Sequence, residues 1–160
     1  MEIIKVGMAD LAVVKSPHKL ITLGLGSCIG IVLYDSVYKI GGLAHIMLPS
    51  SKEIRNNSNK SKFADTAIDI LIDKMLSLGA KKNNIKAKIA GGSQMFNFNS
   101  KSDVLKIGER NANASRKKLS ECRIPIISED CGGNYGRTIE LNTKDGSLLV
   151  RTIGYGTKII

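Results

Sequence analysis

Cys28 stands in a glycine-lined bend, Leu23-Gly24-Leu25-Gly26-Ser27-Cys28-Ile29-Gly30. His45 follows 17 residues later, in Gly41-Gly42-Leu43-Ala44-His45-Ile46-Met47-Leu48-Pro49. A cysteine and a histidine are the minimum parts of an activated sulfur nucleophile. The imidazole takes the proton and the thiolate attacks a carbonyl carbon. Glycines around the thiol let a substrate amide come close, and backbone N–H groups near Ser27 and Cys28 can converge on a developing oxyanion. Thr22, six residues before Cys28, is the third candidate. Its hydroxyl can accept a hydrogen bond from the imidazole and fix its tautomer, the task of the third member of any triad. A carboxylate would stabilise an imidazolium more strongly than a hydroxyl does; no Asp or Glu is obviously offered for this position, though Asp35 could be.

Each of these residues also has a plainer reading. A free cysteine is commonly a small buried hydrophobe. His45, between Ala44 and Ile46, could be a hydrogen-bonded core histidine. A threonine in a strand often reflects β-propensity alone. The bend counts against the plain reading of Cys28, because a thiol between Gly26 and Gly30 is poorly placed merely to fill a core. The Gly24-x-Gly26-x-x-x-Gly30 spacing is not that of a dinucleotide-binding loop. Cys122 reads as helix-end packing, Cys131 beside Gly132-Gly133 as partly exposed, and His18 after Pro17 as a solvated loop residue.

The elements that must position these groups follow from periodicity. Residues 1–15 read as a short strand or turn region. Residues 20–24, 29–34 and 39–48 read as strands, the second ending at the Asp35-Ser36 turn and the third at Pro49. The last two should pair as a hairpin that carries His45 back towards Cys28. Residues 50–60 are a polar loop. From Ser61 the period becomes helical, with Ala64, Ala67 or Ile68, Leu71, Met75 and Leu78 on one stripe and Gly79 as the stop. A strand over 85–90 runs into Gly91-Gly92-Ser93, and residues 107–122 form a second helix, basic through Arg116, Lys117 and Lys118. Residues 123–129, 137–142 and 147–153 read as three strands separated by glycine turns, the last two antiparallel. The expectation is one domain over residues 1–160, a β-rich α/β fold with mostly antiparallel or mixed sheets and two main helices. It is not a doubly wound parallel sheet.

Composition narrows the function classes. With 160 residues, 42% hydrophobic, the chain can bury a real core and is not of disordered type. No apolar run approaches the roughly 20 residues of a membrane span, and the N-terminus lacks signal-peptide features, so a cytoplasmic protein without membrane insertion is expected. Three cysteines, an odd number, argue against a disulfide framework, and no metal-ligand spacing occurs. No metal or cofactor is expected. Lys plus Arg number 24 against 14 Asp plus Glu, a formal charge of +10. The lysines are scattered, no nucleic-acid motif accompanies them, and three Phe, four Tyr and no Trp offer little stacking surface. The charge reads first as a solvated surface and second as a match for acidic protein partners.

The runs Thr22-Leu-Gly-Leu-Gly-Ser-Cys28 and Gly42-Leu-Ala-His45-Ile-Met-Leu-Pro49 closely resemble those of the bacterial chemoreceptor glutamine deamidases of the CheD family. Gly91-Gly92-Ser93-Gln94-Met95-Phe96, Ile107-Gly108-Glu109-Arg110-Asn111 and Gly132-Gly133-Asn134-Tyr135-Gly136-Arg137 extend the likeness in the same order along the chain. Cys131 is a departure from the family pattern. The resemblance implies an α/β sandwich related to deamidating toxins of the cytotoxic necrotizing factor type. It implies Cys28 as nucleophile, His45 as general base and acid, and Thr22 as orienting partner. The implied reaction is hydrolysis of selected glutamine side chains in the cytoplasmic helical domain of methyl-accepting chemoreceptors to glutamate, with release of ammonia. An alternative role implied by the same resemblance is binding and stimulation of a CheC-type response-regulator phosphatase.

Overall fold

Residues 29–35 and 40–46 are buried at every position, the pattern of strands covered on both faces. They form β4 (Ile29–Asp35) and β5 (Ile40–Ile46), the centre of the middle layer in a computed structural model that describes residues 1–95 and 106–160. The other elements are β1 (Ile3–Lys5), β2 (Leu11–Lys15), β3 (Lys19–Leu25), α1 (Ala64–Ser77), β6 (Ile85–Gly91), α2 (Ile107–Glu121), β7 (Ile126–Cys131), β8 (Arg137–Asn142), β9 (Leu148–Thr152) and β10 (Gly156–Ile159). Two five-stranded sheets result. One has the order β2-β5-β4-β6-β7, the other β1-β3-β8-β9-β10. Each is mixed, with a parallel pair (β6–β7, β1–β3) among antiparallel neighbours. The expected β-rich α/β class with two main helices is what the structure has.

Side-chain alternation sorts β4 and β5 into two cores. Ile29, Ile31, Leu33, Ile40, Ala44 and Ile46 face α1 and α2, meeting Ala67, Ile68, Leu71, Met75 and Leu119. Val32 and Leu43 point the other way, into the space between the sheets, where Leu20, Leu25, Ile139, Leu141, Leu148 and Val150 fill the second core. The molecule is thus layered helix, sheet, sheet. Glycines permit the close approach of layers: a Cβ on Gly30 would collide with Ile139, and one on Gly42 with Leu71.

The hairpin expected from residues 29–48 is present, pairing Gly30 with His45. The expected α1 stripe is buried, and Gly79 ends that helix at φ +115°. Three local readings change. The segment 123–125 is a turn rather than the start of a strand, because Arg123 takes a left-handed φ of +59° after the helix and Pro125 follows. The strand therefore begins at Ile126. His18 is half-buried and its Nδ1 accepts from the Glu2 amide at 3.0 Å, so it is a structural tie and not a free loop residue. Arg116 and Lys118 on α2 are engaged with Glu129 and Asp69, which leaves Lys117 as the exposed member of that basic group. Among the described residues no helix is long and apolar enough to cross a membrane.

Candidate active site

β3 carries an extra residue relative to its partner. Thr22 pairs with Ile139 and Leu25 with Arg137, so three steps on β3 oppose two on β8. A bulge at Leu23-Gly24 absorbs the difference, Gly24 taking φ +69°. The consequence is a change of parity. Thr22 and Leu25 would face opposite sides of a regular strand, yet both are fully buried, and Leu23 is turned out to solvent.

Thr22 consequently projects from one sheet towards His45 on the other. Its Oγ1 lies 2.7 Å from His45 Nδ1 and 2.7 Å from the Val6 carbonyl oxygen. A carbonyl can only accept, so the single hydroxyl proton goes to Val6. The contact with the ring must then be Nδ1–H donating to Oγ1. That fixes the tautomer and leaves Nε2 as an unprotonated acceptor. Nε2 is buried and without a hydrogen-bond partner among the described residues. The His45 backbone is held by the turn just before β2, its N–H donating to the Asp10 carbonyl and its carbonyl accepting from the Ala9 amide. Burial pushes the imidazole below its ordinary 6.5, so the neutral, basic form persists at neutral pH.

Cys28 precedes β4 by one residue and packs in the core between the sheets, on the side where His45 meets Thr22. It lies two positions before Gly30, the residue that faces His45 across the ladder, and alternation carried one residue past β4 gives it the inter-sheet side that His45 also takes. Cys28 is 7% exposed, flanked by half-buried Gly26 and Ser27. Burial raises its thiol above the ordinary 9.0, opposed in smaller part by its own backbone N–H. The resting pair is therefore neutral thiol and neutral imidazole. Sγ and Nε2 are not hydrogen-bonded at rest.

Three consecutive carbonyls of the bend are tied from behind. Gly26 accepts from the Ser93 amide at 2.9 Å, Ser27 from Asn111 Nδ2 at 3.0 Å and Cys28 from the Gly92 amide at 2.8 Å. Gly91 must be glycine here: its φ is +116° and a Cβ would strike the Cys28 carbonyl oxygen. Ser93 Oγ in turn accepts from Arg137, a buried guanidinium also held by Asp130 at 3.1 Å. Tyr135 stacks on that guanidinium at 4.7 Å. The motif blocks 91–95, 107–111 and 132–137 thus converge behind the thiol; Phe96, quoted with the first of them, lies outside the described residues.

The acidic alternative fails. Asp35 sits at the far end of β4, five residues from the position facing His45, or about 17 Å along a strand. Burial works against its charge, but the amides of Lys81, Tyr38 and Val37 and the side chain of Asn84 outweigh it and hold the carboxyl below its ordinary value. It caps the hairpin turn. The other thiols are also accounted for. Burial first, then Glu129, pushes Cys131 up to about 11, and burial raises Cys122, which lies 3.8 Å from Asp69. Cavity size does not locate the chemistry. A groove of about 420 Å³ between residues 49–53 and α2, and a hollow of about 270 Å³ beside Gly92 and Cys131, include none of Thr22, Cys28 and His45. Among the described residues no group of three or more His, Cys, Asp or Glu could hold a metal ion.

A structural prediction follows from the Thr22 geometry. Thr22→Val keeps the shape but leaves the Val6 carbonyl and the His45 Nδ1–H unpaired in a buried place. It should cost about 1–3 kcal/mol in a urea melt, with Thr22→Ser close to wild type. Equal stability of the valine and serine proteins would refute the hydrogen-bond assignment.

Together, fold and site define a β-rich α/β protein with a buried hydroxyl–imidazole pair set beside a thiol. Residues 47–152 match the family model described as CheD chemotactic sensory transduction. Proteins called "Probable chemoreceptor glutamine deamidase CheD" align over nearly the whole chain. That of Caldanaerobacter subterraneus subsp. tengcongensis is 57% identical, covering 99% of this chain and 98% of the relative. That of Lachnoclostridium phytofermentans is 54% identical, covering 99% of each. That of Clostridium novyi is 58% identical, covering 98% and 97%. The chain belongs to the CheD family. The family-model match begins two residues after His45, whereas the alignments to the relatives over 157–159 residues take in Thr22, Cys28 and His45 as well.

Proposed function

We propose that this chain is a protein-glutamine deamidase of chemoreceptors, acting as one domain over residues 1–160 in the cytoplasm with Cys28, His45 and Thr22 as its site. The observation that carries the reading is the unpartnered Nε2 of His45, on a ring oriented by Thr22, with Cys28 packed in the same space between the sheets. The names of the relatives support the substrate.

In the reaction, the Cys28 Sγ–H proton passes to His45 Nε2 as sulfur bonds to the carboxamide carbon of a receptor glutamine. Thr22 Oγ1 accepts from Nδ1–H throughout and supports the imidazolium. Backbone amides of Ser27 and Cys28 receive the oxyanion. The tetrahedral adduct collapses, the C–N bond breaks, and imidazolium gives its proton to the leaving ammonia. A thioester remains. Water, deprotonated by the same Nε2, attacks it, the C–S bond breaks, and glutamate and the free thiol are restored. The balance is glutamine plus water to glutamate plus ammonia. Sulfur and Nε2 share no hydrogen bond at rest, so a movement on substrate binding brings them together before the proton passes. The +10 charge favours encounter with an acidic helical bundle, more so at low salt.

The test is incubation of the protein with a receptor cytoplasmic fragment followed by peptide mass analysis. Specific glutamine peptides should gain about 1 Da, the amide-to-acid difference. An unchanged cognate receptor refutes the reading. The CheC-type alternative needs no thiol, so phosphatase stimulation by Cys28→Ala protein without any wild-type deamidation would favour it instead.

A further inference from the structure

Asn111 is a polar residue on the inward stripe of α2, and it is fully buried. Its Nδ2 donates to two carbonyls, Ser27 at 3.0 Å and Met47 at 2.9 Å. Ser27 immediately precedes Cys28, and Met47 stands two residues after His45. One side chain thus ties the segment bearing the thiol to the segment bearing the imidazole. Gly108, one turn earlier on the same face, makes this reach possible. A Cβ there would press on the carbonyl oxygens of Gly92 and Ser93, so its absence lets α2 sit against the end of β6.

The tie has a consequence for the backbone. The peptide bonds of the bend are trans, the one cis bond among the described residues being Ser16–Pro17. In a trans peptide the N–H points opposite to the carbonyl of the same unit. Drawing the Ser27 carbonyl back to Asn111 therefore turns the Cys28 N–H forward, and drawing the Gly26 carbonyl to Ser93 does the same for Ser27. Both amides lie between β3 and β4.

We infer that Asn111 is the positioning residue that sets the oxyanion donors of this site, an inference that rests on the deamidase reading. Two N–H donors on one short arm are needed. Aspartate offers none, serine one, and glutamine two displaced by a methylene.

The experiment compares wild type, Asn111→Ala and Asn111→Gln in two reactions. One is deamidation of receptor fragment. The other is alkylation of Cys28 by iodoacetamide, read by peptide mass, in which sulfur displaces iodide and no oxyanion forms. For Asn111→Ala, kcat should fall about 100-fold with KM and the alkylation rate each within about threefold of wild type. For Asn111→Gln, kcat should fall about tenfold, again without loss of alkylation. If the alanine protein does not melt cooperatively, the glutamine protein decides by the same comparison. An unchanged kcat, or a kcat and alkylation rate that fall in parallel, overturns the role of Asn111 while the deamidase reading stands. Wild-type protein that does not deamidate overturns both.

Discussion

Replacing Cys28 with alanine is expected to lower receptor deamidation by about ten-thousand-fold or more, since no other group can form the thioester. The residual rate would be what the amides of the bend and substrate positioning supply without a nucleophile. The fold should survive. The side chain is small, and its removal from the inter-sheet core costs on the order of 1 kcal/mol. Cys122 and Cys131 should not substitute. Both pack against the helix-side core, away from the inter-sheet space where His45 meets Thr22. Iodoacetamide inactivation tracked by peptide mass gives an independent reading. Loss of activity should follow modification of Cys28 and not that of the half-buried Cys122 and Cys131. Retained deamidation in Cys28→Ala, or inactivation that follows Cys131, would remove the thiol from the mechanism assigned to it.

The Cys28 segment stands out in the sequence because its residue types are unusual together: a thiol among glycines, then a lone strand histidine 17 residues on. The hairpin register followed from two apolar runs and a turn. Thr22 was readable only as a candidate, because a threonine in a strand looks alike whether it caps an imidazole or merely suits a pleated sheet. What selects it is the bulge at Leu23-Gly24, which changes the side of the strand on which it lies. Asp35 looked chemically better and proved to be at the wrong end of β4, a fact that depends on register and not on type. Asn111 was quoted as part of a motif without a role. Its signal was present as a polar side chain on the buried stripe Gly108, Asn111, Ala112, Ser115, Leu119 of α2. Its partners lie 84 and 64 residues away, beyond any local pattern. β10 escaped notice because all its residues are exposed, so hydrophobic alternation had nothing to mark.

His45→Asn separates the two nitrogens of the imidazole. The asparagine Nδ2 takes the place of the ring Nδ1 and can still donate to Thr22 Oγ1, while nothing replaces Nε2. The variant should therefore keep its fold and lose its base, with kcat/KM down about 100- to 10,000-fold. The pH profile gives the sharper comparison. Wild-type activity needs neutral His45, and burial holds its pKa below the ordinary 6.5, so the acid limb of kcat/KM should lie below that value. The raised Cys28 thiol puts ionisation without a base above the ordinary 9.0. His45→Asn should then lack the acid limb and gain rate only as pH climbs through the range where the thiol ionises unaided. Stability moves with the same group. The unfolded chain takes up a proton at His45 as pH falls through 6.5 while the folded chain resists, so His45 favours unfolding in the window below 6.5 and down to its folded pKa. The asparagine protein should lose less stability than wild type across that window. An acid limb retained by His45→Asn would assign the titration, and with it the base, to another residue.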